Sequence, residues 1–139
     1  MRRKFTVGVD FDDTIAQAGT FPEIVGEVPE AIVTLKRLQN AGMRLILITS
    51  REDEDLEAAL AWCRERGLTF DAVNQNPDEF WNGHRKIYAD VYVDDRNIGT
   101  PTVWRNETFP DWKDIGRMVL QRYMTEVLAG NFDETEDEK

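Results

Sequence analysis

Three acids, Asp10, Asp12 and Asp13, stand in one short run, VGVDFDDTIA, at the end of an apolar stretch. Carboxylates this close repel one another and resist burial unless a cation or a hydrogen-bond donor sits among them. Asp10 and Asp12 are two apart, so at a strand end both can emerge on one side while Phe11 turns into the core. One carboxylate can then attack while the other passes a proton, and a hard dication taking oxygen ligands would neutralise the group. A solvated Asp-rich turn is the competing reading, and these residues alone weigh the two about evenly.

Further polar groups follow other apolar runs. Thr49 and Ser50 come directly after LILI, where a hydroxyl can donate to a phosphoryl oxygen. Thr49-x-x-Glu52 and Ser50-x-x-Asp53 also match helix-capping patterns, and taken alone capping is the stronger reading. The two roles are compatible, because a helix N-terminus favours anions. Lys86 lies in RKIYADVYVDD; a lone lysine is ordinarily a solvated surface group. Asp94 and Asp95 close the apolar run VYV, where they either cap the next turn or complete a metal site. His84 is the single histidine, so a histidine-rich zinc site or a Ser-His-Asp triad has little support, and an ordinary exposed side chain is expected. Cys63 reads as packing, and Phe80 and Trp81 as cover for a sheet edge rather than substrate contacts.

The elements that would position these groups follow from periodicity. Phe5–Asp10 is apolar at consecutive positions, as in a strand covered on both faces, and Arg44–Thr49 is a second such strand. Phe70–Val73 and Asp90–Asp94 read as a third and fourth strand, and Thr102–Trp104 as a short fifth. Pro29 opens a helix with Ile32, Leu35 and Leu38 on one face and Gly42 as its stop. Leu56, Ala59, Leu60 and Cys63 share a face of a second helix ended by Gly67. A last helix spans about Asp111 to Ala129, with Ile115, Met118, Val119, Tyr123 and Val127 inward. Strands alternating with amphipathic helices predict an α/β fold, a three-layer, Rossmann-like, doubly wound parallel sheet, with ligands at the carboxyl ends of its strands. Asp10-Phe-Asp-Asp-Thr14, Thr49-Ser50-Arg51, Asn74-Gln-Asn76 and Asp94-Asp95 all fall at such exits.

Composition narrows the function. With 139 residues, one domain is expected over 1–129, followed by an acidic tail, 130–139, that reads as frayed. Seventeen basic against 27 acidic side chains leave a net charge of −10, which argues against non-specific binding to nucleic acid or anionic membrane. It leaves room for a small phosphate ester or one nucleic-acid end held at a local cationic site. No apolar run approaches the roughly 18–20 residues of a membrane helix. The basic start, Met1-Arg2-Arg3-Lys4, lacks the pattern of a secretory signal, and the lone Cys63 suits a reducing cytosol.

In their order, these motifs resemble those of the haloacid dehalogenase-like superfamily of hydrolases. VDFDDTIA is similar to its first motif, LILITSR to the second, Lys86 to the third and VYVDD to the acidic fourth, over residues 5–95. The resemblance implies Mg²⁺-dependent phosphoryl transfer on a Rossmann-like sheet. Asp10 would be the nucleophile that forms an aspartyl-phosphate, and Asp12 would protonate the leaving oxygen and later activate water. Thr49 would hold the phosphoryl group, and Lys86 would offset the negative charge of Asp10 and phosphate. Mg²⁺ would lie among Asp10, the Asp12 main-chain carbonyl, the phosphate and Asp94, with Asp95 close by or in the next shell. Such chemistry relies on positioning and charge neutralisation.

The family usually inserts a cap after its first or second motif. Ile15–Pro29 has room only for a small flap, and Asn74–Ala89 is too short for a cap domain. The expectation is an uncapped phosphatase hydrolysing a phosphate monoester, either a phosphorylated small molecule or a polymer end, unless another subunit of a homo-oligomer supplies a lid. NQNPDEFWNGHRK is the expected local source of specificity. Two alternatives stay open. A receiver-like phospho-signalling domain would place its phosphorylated Asp where this chain has Thr49, and would need no Asp-Asp pair after the Lys. A phosphate-binding family member without hydrolase activity, or a phosphotransferase using another acceptor, is the other.

Overall fold

Four strands form a parallel sheet: β1 (Thr6–Val9), β4 (Arg44–Leu47), β5 (Ala72–Val73) and β6 (Val91–Val93), in the order β5-β4-β1-β6. They belong to a computed structural model that describes residues 4–77 and 81–132. Phe80 and most of the acidic tail, residues 133–139, lie outside the described residues. The chain steps outward from β1 to β4 and β5, then crosses back to place β6 on the other side of β1. That reversal makes the sheet doubly wound, as the alternation of elements predicted. The strands are shorter than their apolar runs because acids take over at the ends. Asp71 and Asp90 each enter a strand by accepting through the carboxylate from a neighbouring strand's N–H, Leu45 N at 2.8 Å and Thr6 N at 2.9 Å.

Register sorts the two faces. Val7 pairs with Leu45 and Val91, and Val9 with Leu47 and Val93. Side chains of this parity share one contiguous core with α1 (Ala31–Asn40), α2 (Asp53–Glu65) and α3 (Trp112–Leu128). Leu35 and Leu38 of α1, Ala59 and Cys63 of α2, and Ile115 of α3 enter it, as the helical spacing predicted, and so does Trp112. Burial pushes the Cys63 thiol up to about 12, which suits a packing role. Met118, expected inward, is instead 47% exposed.

Gly8 and Ile46 have the opposite parity. A Cβ at Gly8 would stand 2.7 Å from Ile48 Cδ1 and 3.3 Å from Ala89 Cβ, so this face is closely covered. The cover comes from the β5–β6 connection, which contains no α-helix among the described residues. One buried amide organises it. Asn76 Nδ2 donates to the carbonyls of Trp81 (3.2 Å), His84 (3.4 Å) and Lys86 (3.0 Å), while Oδ1 accepts from Tyr88 N at 2.7 Å. The Trp81 ring stacks on Tyr88 with centroids 4.9 Å apart, which places it in this cover.

Two antiparallel hairpins flank the sheet. β2 (Ala16–Ala18) pairs with β3 (Ile24–Glu27), the small flap for which the sequence had room. β7 (Thr102–Trp104) pairs with β8 (Thr108–Pro110) and does not form a fifth strand of the main sheet. Residues 94–101 separate β6 from β7, too few for the crossover of about a dozen residues that a parallel partner needs.

The helix starts also depart from expectation. Neither Thr49 nor Ser50 caps α2: its N-cap is Glu52, without a side-chain cap bond, and Asp53, Glu54 and Asp55 in the first turn complement the helix dipole instead. Trp112, at the start of α3, is completely buried and donates from Nε1 to the Thr14 carbonyl at 2.7 Å. Trp112→Phe keeps most of the ring but orphans that carbonyl. It should lower the unfolding free energy by about 1–3 kcal/mol, read from urea denaturation.

Candidate metal centre

In an open α/β sheet the crevice lies where the strand order reverses, outside the carboxyl ends of the two strands involved. Here those strands are β1 and β6. Val9 faces Val93 in register, and Asp10 N donates to Val93 O at 3.0 Å, extending the ladder by one residue. The next residues, Asp10 and Asp94, are therefore set side by side, with strands spaced about 4.8 Å apart. Asp95 follows, and one carboxylate oxygen from each of Asp10, Asp94 and Asp95 lies within 4.8 Å of the others.

Thr14 stitches this group together. Its hydroxyl oxygen accepts from Asp95 N at 2.9 Å and lies 2.9 Å from Asp10 Oδ2 and 3.1 Å from Asp95 Oδ1. A hydroxyl has one proton, so only one of the two carboxylates receives it at a time. Burial chiefly, with the charges of Asp94 and Asp95, pushes the Asp10 carboxyl up to about 7 despite the opposing hydrogen bond from Thr14. Asp95 is raised too, mainly by burial, against the Thr14 hydrogen bond. Three half-buried carboxylates with oxygen-only donors fit a hard dication, whose charge removes the repulsion that raises Asp10. The group can hold a metal ion.

Asp12 does not join it through its side chain. Both of its oxygens are taken by Arg51: Nε donates to Oδ2 at 2.9 Å and Nη2 to Oδ1 at 2.8 Å. Arg51 is 1% exposed, donates also to the carbonyls of Asp55 and Pro22, and lies 5.0 Å from the ring centroids of Phe11 and Phe21. Asp10 and Asp12 thus part company after the strand, although Phe11 between them is buried as expected. The cause is a tight turn: Phe11 O accepts from the amides of Thr14, Ile15 and Ala16, and Asp13 adopts φ 63°. Asp13 itself is exposed and accepts from Ala18 N at 3.1 Å, which helps shape the turn.

The other sequence-predicted residues are placed as follows. Thr49 follows β4; its hydroxyl accepts from Arg51 N at 3.1 Å, and Asn74 holds its main chain from the β5 exit with two hydrogen bonds. Lys86 is exposed, and among the described residues no hydrogen bond or ion pair joins its side chain to the carboxylates. His84 is exposed, its ring edge-on to Trp81. Arg51 and Thr14 were missed as partners of the acids. Both stand inside the motifs that carry the resemblance, at the ends of LILITSR and Asp-x-Asp-x-Thr, and that placement was the available signal.

Fold and site together define a small α/β protein with a four-stranded parallel sheet and an acidic group suited to a metal ion. No family model and no curated protein matches the chain. Among solved structures it is similar to a conserved protein from Bacteroides thetaiotaomicron, with 42% sequence identity and a TM-score of 0.72, over 86% of this chain and 93% of that one. The chain belongs to the family of that conserved protein. Among the described residues, no helix is long and apolar enough to cross a membrane.

Two outcomes follow from the electrostatics. Asp10 binds its proton more tightly folded than unfolded, so its contribution to stability is complete below about pH 4 and is lost as pH rises through about 7. Metal-free protein should therefore melt at falling temperature from pH 4 to pH 7. Added Mg²⁺ should restore stability at the upper end, and Asp10→Asn should flatten both responses in thermal scans. Arg51→Met leaves Asp12 without its counter-charge and should destabilise by about 3 kcal/mol in denaturant titrations. Arg51→Lys should recover only part of this, because an ammonium lacks the two-pronged geometry.

Proposed function

We propose that the chain is a magnesium-dependent phosphatase of the haloacid dehalogenase-like kind, acting on a phosphate monoester through Asp10. The observation that carries this reading is the meeting of Asp10 with Asp94 and Asp95 at the β1–β6 switch point. In the proposed reaction a carboxylate oxygen of Asp10 attacks phosphorus, the ester P–O bond breaks, and the leaving oxygen takes its proton from Asp12, which recovers one from the water of the next step. Water then cleaves the aspartyl-phosphate, releasing inorganic phosphate and restoring the carboxylate. Bound by Asp10, Asp94 and Asp95 with the Asp12 main-chain carbonyl, Mg²⁺ would supply the charge neutralisation that lets a carboxylate approach a phosphate.

The chain's own groups divide the remaining work. Thr49 accepts a hydrogen bond from Arg51 N, so its own proton is available to a phosphoryl oxygen. Lys86, on the β5–β6 connection, is the cation assigned to the phosphate in this reading. With the β2–β3 and β7–β8 hairpins beside the site and no cap domain among the described residues, the substrate is a phosphorylated small molecule or an exposed polymer end; the net charge of −10 favours the former. A cytoplasmic setting suits both.

The Arg51–Asp12 pair favours a second reading. A carboxylate accepting from a guanidinium at both oxygens is poorly set to deliver a proton, so the chain would bind phosphate or take up a phosphoryl group without turning over. Incubation with p-nitrophenyl phosphate decides between them. The phosphatase should show continuous Mg²⁺-dependent turnover that chelator abolishes, and Asp10→Asn should reduce it by about 10³-fold or more. Release of at most one nitrophenolate per chain would support the second reading. Turnover that survives Asp10→Asn would overturn the assignment of Asp10.

A further inference from the structure

Arg51 ties the turn after β1 to the tip of the β2–β3 hairpin, whose base already meets that turn through Ala18 N and Asp13. Its Nη2 donates at once to Asp12 Oδ1 (2.8 Å), beyond β1, and to Pro22 O (2.9 Å), at the tip of the β2–β3 hairpin. The tip, residues 19–23, is exposed throughout. It is tied to itself by Glu23 N donating to Thr20 O at 2.9 Å. Among the described residues, its hydrogen bonds to the rest of the fold run to Arg51 alone. The Phe21 ring lies over the guanidinium, with 5.0 Å from Cζ to the ring centroid, although it is 53% exposed. Arg51 itself is fixed from a third side by Nη1 donating to Asp55 O at 3.1 Å, where α2 begins.

We propose that Arg51 is a positioning residue that couples the hairpin tip to Asp12, so that the tip lies down only while Arg51 holds Asp12. The geometry leaves one cation to serve both. A guanidinium turned to follow Asp12 carries Nη2 away from Pro22, and a lifted tip strips the guanidinium of a carbonyl and an aromatic face that restrain its orientation. Because one guanidinium holds both the tip and Asp12, the position of the tip and the placement of Asp12 become one event. The bearing on catalysis rests on the phosphatase reading; the coupling itself does not.

Amide hydrogen exchange on the full chain tests it, with β4 as the internal reference. Asp12→Asn changes a side chain that, among the described residues, makes no hydrogen bond to the tip, yet amides of residues 19–24 should exchange about fivefold faster or more while β4 stays within about twofold. Coupling is reciprocal, so Phe21→Ala should accelerate Asp13 and Thr14 to a similar extent, about fivefold. Arg51→Met should loosen both regions by about tenfold, and Arg51→Lys should restore part of the protection. If Arg51→Met does not fold, Asp12→Asn and Phe21→Ala carry the test. Tip amides unchanged in Asp12→Asn, or an acceleration spread evenly over β4, would overturn the coupling. Exchange needs no turnover, so loss of nitrophenyl phosphate hydrolysis bears on the phosphatase reading alone.

Discussion

Everything at the candidate centre depends on the parallel pairing of β1 with β6. Two apolar triplets aligned in register force the residues just beyond them, Asp10 and Asp94, into adjacency in a half-buried crevice. The backbone ladder is stable enough to impose an electrostatic arrangement that the side chains would not choose. Burial and like charge then raise Asp10. Sheet geometry thus stores a demand for positive charge at one rim of the molecule, and the resident Thr14 hydroxyl, with one proton, meets only part of it.

The same short loop resolves the demand in two ways. Asp12 receives a cation from within the fold, the buried guanidinium of Arg51. Asp10 receives none from the described side chains and is left to a cation from outside. Two carboxylates two residues apart are given opposite fates by a turn at Asp13, which sends one toward β6 and the other toward the β4 exit. An acid paired within the fold stabilises structure, whereas an underneutralised one invites a ligand.

The order of strand exits was legible because parallel sheets align the ends of apolar runs, and each of the acids 10, 94 and 95 follows such a run closely. The helical faces were legible for the same reason of period, apart from exposed Met118. The Arg51–Asp12 pair was not, because it depends on how the backbone leaves Phe11, and a left-handed residue at position 13 is no property of spacing. Thr102–Trp104 was legible as extended but not as unattached; the deciding quantity was the length of the link from β6, not the β-propensity of Thr-Val-Trp. The capping patterns at Thr49 and Ser50 misled because the helix begins later, at Asp53, leaving Thr49 to bond the Arg51 amide. No periodicity located Lys86, since the connection that carries it follows the buried Asn76 amide rather than a regular element.

That amide has a chemical consequence for the longevity of the molecule. Asparagine side chains age by deamidation, in which the backbone nitrogen of the following residue attacks the side-chain carbonyl to form a cyclic imide. Conversion of Asn76 to an acid would replace the donor to three carbonyls with an acceptor and set oxygen against oxygen in a closed space. The residue that follows is Pro77, whose nitrogen carries no hydrogen and is a poor nucleophile for that ring closure. The amide on which the cover of the sheet depends is therefore sheltered from the commonest route of spontaneous damage by its own neighbour in the chain.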